Sequence, residues 1–361
     1  MKRHVFIFDP ISLDEKSKVR GIGRYLQILK ENFPEWSFSA KLPTTYYKLP
    51  TTFINPFFNF LQPPLILKRI AKKQIAIIHD LIPLQFPKHF PAGIKGNINI
   101  LLNKLALRNY DLIITDSNAS KRTIQQILGV ESNKVRVIYP CLPRIFTSTN
   151  PASAGDSSLG SDPRSYIARN DTGGNFCIYV GDATWNKNLI NMVRALKIIN
   201  VSCVLIGKVF QQETNNKKQA NLLMHPWQRE LQQFFQEIQN DKRFICAGFI
   251  PDEKLKDLYS KAKLNILPSR EEGFGFSYLE AASQHCPSVL SDIPVFREIS
   301  KNQGVLFAKP EDPQEIANNI GEIYFHEKAR NKLGFDAHKQ SLVFTSSTFR
   351  ISWLQVIKDI Q

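Results

Sequence analysis

Leu264-Asn265-Ile266-Leu267-Pro268-Ser269-Arg270-Glu271-Glu272-Gly273-Phe274-Gly275-Phe276-Ser277-Tyr278-Leu279-Glu280-Ala281-Ala282-Ser283 decides how this chain is read. Four apolar-rich residues stopped by a proline read as a strand. A glycine turn follows, then a run of small residues that reads as a helix. Gly273 and Gly275 allow the backbone to approach a ligand closely and to expose its N–H groups. A helix opening near Phe276 aims free amides and a positive dipole end at the turn, a place suited to phosphate. Glu272 and Glu280 stand eight positions apart across it and can accept hydrogen bonds from hydroxyls. A ligand with hydroxyls at both ends and a diphosphate between them matches this description, and a sugar nucleotide has that form.

Helical spacing supports the placement. Leu279, Ala282, Ser283 and Cys286 fall on one buried face of small residues, and Glu280 falls beside it, free to point into a cleft. Taken singly, either glutamate reads as a surface acid near a helix start, where acids are favoured anyway. The ordered set of acid, glycine, aromatic, glycine and acid on a small-residue helix is the stronger signal.

Working outward, strand and helix patterns alternate along both halves. In the first, His4–Phe8 reads as a strand, and the loop after it ends in Arg20-Gly21-Ile22-Gly23-Arg24-Tyr25 before a helical run to about Phe33. A glycine pair there suits either close ligand approach or a plain tight turn. Ile75–Ile78 is a strand ending in His79-Asp80, a position that lines the ligand crevice in open α/β sheets. Asn97–Leu107 reads as a helix, Leu112–Thr115 as a strand, Asp116–Ser120 as a helix opening, and Val135–Tyr139 as a strand. In the second half, strands are expected at 177–180, 204–206, 244–247, 288–290 and 305–307. Helices are expected after Asn188, around 226–239, from Asp252, from Pro313 and over 347–360. The alternation implies doubly wound parallel sheets. Two similar α/β halves imply a cleft between them.

Two stretches interrupt this pattern. Residues 147–175 are dominated by Ser, Thr, Gly, Asp, Asn and Pro and read as a linker or surface excursion, which places the domain boundary there. Residues 43–75 are rich in proline, aromatics and cations; Leu65-Ile66-Leu67-Lys68-Arg69-Ile70-Ala71-Lys72-Lys73 reads as a short helix. It is either a core-facing helix with a solvated basic side or a basic amphipathic surface that touches an anionic membrane.

A length of 361 residues suits two domains with separate cores, and 43% hydrophobic with 22% charged residues is ordinary globular composition. The five cysteines show no metal spacing; Cys177, Cys203 and Cys246 lie in apolar strand-like runs and read as buried thiols of a reducing compartment. No signal-peptide pattern and no run of membrane-spanning length is visible. The net charge of +15 points to polyanionic partners: nucleic acid, anionic headgroups or phosphorylated substrates.

These residues together carry a resemblance. The chain is similar to family 4 of the retaining glycosyltransferases, in the flavour of mannosyltransferase-like members that build polysaccharide or lipid-linked glycans. The matching features are the Gly21–Arg24 loop, His79-Asp80-Leu81-Ile82-Pro83, Asp116-Ser117 with Ser120, Gly181 with Lys187-Asn188, Gly248-Phe249, and Glu272 and Glu280 around Gly-Phe-Gly. The resemblance implies a GT-B fold of two Rossmann-like domains. Residues 1–165 would bind the acceptor, 174–344 the nucleotide-sugar donor, and the 345–361 helix would pack back on the first domain.

It also implies roles. Glu272 would accept hydrogen bonds from donor-sugar hydroxyls and Glu280 would hold the ribose diol. Amides of Gly275, Phe276 and Ser277 would meet sugar and diphosphate, with Gly273, Phe274 and Leu279 completing the donor loop. Lys187, after Gly181, would stabilise the leaving diphosphate. His79 would lie on the sugar, Gly23 and Arg24 beside the donor, and Phe249 and Ile250 at the base. The family often places a second cation beside the phosphate lysine. Here Asp182 and Asn186 occupy those positions, so either Arg24 or Arg270 supplies the charge or phosphate binding is weaker. His285-Cys286-Pro287 also replaces a customary glycine before the proline.

The expected reaction is hexose transfer with retention, with GDP-mannose the leading donor and UDP-sugars behind it. No cofactor and no metal are expected. The acceptor would be a glycan or a lipid-linked glycan. The protein would be cytoplasmic, with peripheral contact at the inner face of an anionic membrane as the further expectation. Two other readings stay open: a catalytically silent nucleotide-binding interaction protein of the same fold, and a basic nucleic-acid-binding protein. The latter lacks a module with aromatics interleaved among cations on a sheet, and no nucleic acid is expected as partner.

Overall fold

A computed structural model describes residues 4–13, 21–43, 50–148, 174–211 and 229–360. Arg20, most of the 147–175 stretch and residues 226–228 of the expected 226–239 helix lie outside the described residues. The chain divides into two compact units, Met1–Arg144 with Phe344–Gln361, and Ile145–Val343.

The first unit holds a six-stranded, all-parallel sheet in the order β2-β1-β3-β4-β5-β6. Its strands are β1 (Val5–Phe8), β2 (Ser37–Ser39), β3 (Thr52–Asn55), β4 (Lys73–Ile77), β5 (Leu112–Thr115) and β6 (Val135–Val137). The helices are α1 (Ile22–Asn32), α2 (Ile82–Gln85), α3 (Gly93–Leu107) and α4 (Asn118–Leu128). Strands buried on both faces need no polar–apolar alternation, and β3, β4 and β5 are short apolar runs whose Ile54, Ile75, Ile77 and Ile114 are fully buried. α4 is stopped cleanly at both ends. Ser117 Oγ accepts from the Ser120 amide at 3.0 Å, and Gly129 closes the helix in the left-handed region at φ 64°. The C-terminal helix Ser346–Asp359 belongs to this unit. It inserts Phe349 against Tyr25 and Phe33, and Trp353 edge-on to Trp36.

Three differences from the sequence reading appear here. The 65–73 segment is not a helix: it runs irregularly until Lys73 opens β4. Pro63-Pro64 precedes it, and side chains take its backbone groups. Gln74 Oε1 accepts from the Ile70 amide at 2.7 Å, and Asn109 Nδ2 donates to the Leu67 carbonyl at 3.0 Å. Its aliphatic residues Leu65, Ile66 and Ile70 pack on the core. Strands β2 and β3 come from residues that carry no strand pattern of their own. Helix α1 begins at Ile22, so Gly23 and Arg24 sit in its first turn and not in the loop; Gly21 alone, at φ 52°, takes the conformation that favours glycine.

The second unit is also all-parallel, in the order β12-β11-β10-β7-β8-β9. The strands are β7 (Cys177–Val180), β8 (Cys203–Ile206), β9 (Phe244–Gly248), β10 (Leu264–Leu267), β11 (Ser288–Ser291) and β12 (Val305–Ala308). After the short α5 (Arg144–Thr147), its helices are α6 (Leu189–Ile199), α7 (Arg229–Ile238), α8 (Asp252–Lys261), α9 (Phe276–Ser283), α10 (Pro294–Ser300), α11 (Pro313–Phe325) and α12 (Glu327–Ser341). The order runs outward in both directions from the β7–β10 pair, which is the dinucleotide-fold order with its switch point between those strands. The chain leaves the carboxyl ends of β7 and β10 on opposite sides there, and opens the crevice in which such sheets bind ligands. Cys177, Cys203 and Cys286 are buried and Cys246 is half-buried, all as free thiols.

Candidate active site

At the carboxyl end of β7, Gly181 follows the strand. A Cβ there would lie 2.5 Å from the Tyr179 hydroxyl, so the position accepts only glycine without rearrangement. Tyr179 Oη donates to the Asp182 carbonyl at 2.6 Å, and Asp182 Oδ1 accepts from the Ala183 amide at 2.8 Å. The turn Trp185–Lys187 then leads to Asn188, left-handed at φ 56° and fully buried. Asparagine tolerates that conformation, and its amide donates to the Pro268 and Pro310 carbonyls at 2.9 and 2.5 Å.

Two more bonds tie this turn to the one after β10. Asn186 Nδ2 donates to the Glu271 carbonyl at 3.1 Å, and the Arg270 amide donates to the Asn186 carbonyl at 2.7 Å. The stapled loops bring Lys187 Nζ to 2.6 Å from Glu272 Oε1, and Ser269 Oγ donates to the same oxygen at 2.8 Å. Lys187 and Glu272 keep 22% and 12% side-chain exposure, so both can be reached from solvent. Asn186 is therefore a structural bracket, not the place of a missing cation.

Gly275 precedes α9 at φ 97°, where a Cβ would meet the Phe296 ring at 2.8 Å. No side chain caps the helix, so nothing from a capping residue competes for its first amides, at Phe276 and Ser277. Phe274 is buried and packs edge-on to Phe276. Leu279 is wholly buried in the core, so its side chain is unavailable to a ligand. Glu280 differs from the sequence reading as well. It is 3% exposed and accepts from Tyr259 Oη of α8 at 3.3 Å, so it does not project into open space. Phe249, half-buried, and Ile250, buried, follow β9 at the same carboxyl edge of the sheet, two strands beyond β7.

Neither arginine considered as a second cation is uncommitted. Arg270 pairs with Glu311 at 2.6 Å and Glu230 at 2.9 Å, and its guanidinium lies 5.1 Å from the Trp185 ring centroid. Arg24 is buried in α1, with Nη1 donating to Gln27 at 2.9 Å.

In the first unit, His79 leaves β4 between the ends of β3 and β5. Its Nδ1 is 2.6 Å from Asp116 Oδ2 and its Nε2 is 3.1 Å from the Pro56 carbonyl. Burial of the ring works against its positive charge. The Asp116 carboxylate, the bond to it, the Pro56 carbonyl and nearby Asp80 outweigh that, and the pKa rises above the usual 6.5. An acceptor faces each ring nitrogen, which favours the charged form relative to a free imidazole. Sequence reasoning carried Asp116 only as part of a motif. Its place at the end of the neighbouring strand is the signal that pairs it with His79.

Among the described residues no group of three His, Cys, Asp or Glu side chains is arranged to hold a metal ion.

The fold and this site define the class: two Rossmann-like units of the GT-B type. Residues 166–340 match the family described as glycosyl transferases group 1. Among curated relatives, the chain is 26% identical over 254 residues to the O-antigen chain mannosyltransferase RfbU of Salmonella typhimurium, covering 70% of this chain and 62% of that one. It is 25% identical over 312 residues to the serotype-specific mannosyltransferase WbdA of Escherichia coli, covering 81% of this chain and 35% of that one. The chain thus spans less than two thirds of the length of either. Among solved structures, sucrose-phosphate synthase from Thermosynechococcus elongatus superimposes with a TM-score of 0.69 at 14% identity, over 99% of both chains. Anabaena HepE in complex with UDP and glucose gives 0.69 at 15% identity, again over 99% of both.

Proposed function

We propose that the protein is a retaining glycosyltransferase that moves a hexose, mannose in the leading reading, from a nucleotide diphosphate sugar to a glycan or lipid-linked acceptor in polysaccharide synthesis. The observation that carries the reading is the Lys187–Glu272 pair at the β7–β10 switch point, beside the uncapped start of α9. The pair is a resting arrangement in which a phosphate-binding cation and a hydroxyl-binding carboxylate neutralise each other. A donor exchanges this contact for two others. The diphosphate takes Lys187 and the α9 amides, and the sugar hydroxyls take Glu272, still held by Ser269.

As the bond to the nucleotide breaks, negative charge grows on the diphosphate. Lys187 and the helix amides stabilise it from fixed positions. Glu272 steadies the sugar through its hydroxyls and takes no proton. The departing phosphate oxygen accepts the acceptor's proton on the same face, which retains configuration and requires no metal. The family resemblance gives His79 a contact with the sugar; with Nδ1 facing Asp116 and Nε2 facing the Pro56 carbonyl, the ring would donate there only by exchanging its Pro56 contact for a sugar hydroxyl. The same resemblance gives Glu280 the ribose diol, in addition to the bond it accepts from Tyr259. The mannosyltransferase names of RfbU and WbdA support mannose. The UDP of the HepE complex keeps UDP-sugars as the alternative donor.

One observation favours a second reading, a silent nucleotide-binding protein: Arg270, the cation nearest the lysine turn, is already engaged by two carboxylates. A thermal-shift screen against GDP-, UDP- and ADP-sugars, followed by transfer and hydrolysis assays with the binding donor, tests both. Binding with turnover that falls in Glu272→Gln supports the transferase. Binding without turnover supports the silent protein. Near-normal transfer by Glu272→Gln overturns the site.

A further inference from the structure

Helix α3 is aliphatic on its outer face as well as on the face that packs Ile100, Ala106 and Leu107 against the core. The residues it turns inward include Gly96, Asn103 and Ala106, and two of its amides anchor it to the preceding loop. Asn99 Nδ2 donates to the Leu61 carbonyl at 2.9 Å, and Asn103 Nδ2 donates to the Gln62 carbonyl at 2.7 Å. The residues it turns outward are aliphatic. Ile94, Ile98, Leu101 and Leu105 are 83%, 53%, 60% and 43% exposed. At about 100° per residue these four fall within roughly 60° of arc and form a stripe about 17 Å long. Lys95 and Lys104 lie on opposite flanks of the stripe, and Arg108 follows at its end; all three are exposed. Asn109 binds the Leu67 carbonyl, so Leu67, itself 53% exposed, and Lys68 stand at the same end of the helix.

Charge in this part of the chain is one-sided. From Trp36 to Tyr110 there are ten lysines and arginines and a single carboxylate, Asp80; one of the ten, Arg69, pairs with Asp111 just beyond, which leaves the excess strongly positive. That distribution chooses the occupant of the stripe. A second copy of this chain would bring like charges together across an apolar seam, which is unfavourable. Nucleic acid would satisfy the cations and leave the aliphatics in water. An anionic bilayer satisfies both, because aliphatic side chains enter the headgroup–acyl boundary while flanking lysines meet acidic lipids. No helix among the described residues is long and apolar enough to cross a membrane, so the contact is peripheral.

We propose that the outward face of α3, centred on Ile98 and Leu101, docks this protein on an anionic membrane surface. This moves the expected membrane contact from the 65–73 segment, whose aliphatics pack largely into the core, to the helix that follows it. The proposal does not depend on the glycosyltransferase reading. A chain without any transfer activity would dock in the same way.

The test is vesicle flotation with the full chain, using phosphatidylcholine vesicles with and without about 30% phosphatidylglycerol. The unaltered chain is expected to float with anionic vesicles, to bind neutral ones far more weakly, and to release as salt is raised. Ile98→Asn with Leu101→Gln removes the centre of the stripe and should weaken binding about a hundredfold, near tenfold for each aliphatic group. Lys95→Gln with Lys104→Gln should weaken it about thirtyfold, near fivefold for each charge. The four side chains are solvent-facing, so thermal unfolding should stay unchanged and separate docking from folding. Full binding by the aliphatic double variant overturns the proposal. So does indifference of the unaltered chain to lipid, including the case in which sedimentation shows a dimer that Ile98→Asn with Leu101→Gln dissolves.

Discussion

The Lys187–Glu272 contact permits a quantitative test because it ties stability and activity to the same two atoms. At 2.6 Å, unit charges attract by about 6 kcal/mol at an effective dielectric of about 20. Desolvation and the ordering of a long lysine remove most of that gain, and a partly buried pair retains a net coupling of about 2 kcal/mol. Glu272→Gln alone leaves a cation at low exposure with a weaker acceptor, and Lys187→Met alone leaves the carboxylate with Ser269. Each should lower the unfolding temperature of the second unit by roughly 4–8 °C. The double variant should lose less than the sum of the two, by the coupling energy. Transfer behaves differently: each single variant should fall about a hundredfold or more, and the double variant should not recover. Denaturant unfolding and steady-state transfer on the four proteins of this cycle measure both effects. A coupling below about 0.3 kcal/mol would show that the contact is incidental. Recovery of transfer in the double variant would show that the pair serves folding and not chemistry.

Other outcomes follow from single features. His79 should titrate above 6.5, because Asp116 and the Pro56 carbonyl outweigh burial. The resulting stability is fully present below the unfolded-state value near 6.5 and is lost as pH rises through the higher folded value. Asp116→Asn should bring the titration down, read from the His79 ring-proton resonances; a folded value at or below 6.5 would contradict the geometry. Gly275→Ala places a Cβ against Phe296 at φ 97° and should destabilise the second unit by about 2 kcal/mol, read by denaturant unfolding. Burial pushes the Cys141 thiol up to about 12 and Cys246 up to about 11, and raises Cys177, Cys203 and Cys286 as well. The native chain should therefore resist alkylation at neutral pH, with half-buried Cys246 reacting first, as a timed thiol assay would show.

What could be read in advance follows from where the physics is local. The strand, turn and helix over 264–283 carry their own signals: an apolar run, a proline stop, glycines and small residues. The structure places them as expected. The β7–β10 switch point was legible only in outline, because alternation implies a parallel sheet without stating its order. β3 was hidden because a strand buried on both faces needs no alternation, and Thr52–Asn55 lies among prolines and aromatics that resemble a loop. The 65–73 segment misled for a related reason. Its aliphatic and basic residues fit a helical pattern, but its backbone is bonded by Gln74 and Asn109, whose positions depend on tertiary structure. Glu280 is a similar case. Spacing sets it beside the buried face of α9, but only the packing of α8 shows that Tyr259 waits there for its carboxylate. The lysine–glutamate contact could not have been found from spacing, since Lys187 and Glu272 are 85 positions apart and meet through Asn186 and Asn188.

Arg270 raises the sharper question of which charge faces a diphosphate. It stands one loop from Lys187, yet it binds Glu230 and Glu311, stacks on Trp185 and donates to the Trp185 carbonyl. Those contacts hold the very turn that carries Lys187, which suits a positioning residue; under the proposed function, Lys187 and the α9 amides are then the groups left to meet the phosphates. The two roles separate on substitution. If Arg270 met phosphate as a charge, Arg270→Lys would keep donor affinity close to normal while Arg270→Met lost it. A lysine cannot reproduce the planar fork that spans two carboxylates or the stacking on Trp185. For a positioning residue, Arg270→Lys and Arg270→Met should therefore lower transfer by similar factors and shift the unfolding temperature in the same direction. Titrating donor into each variant while following turnover decides between them: normal donor affinity in Arg270→Lys alone would return this arginine to the phosphate, and equal losses would leave it to the scaffold.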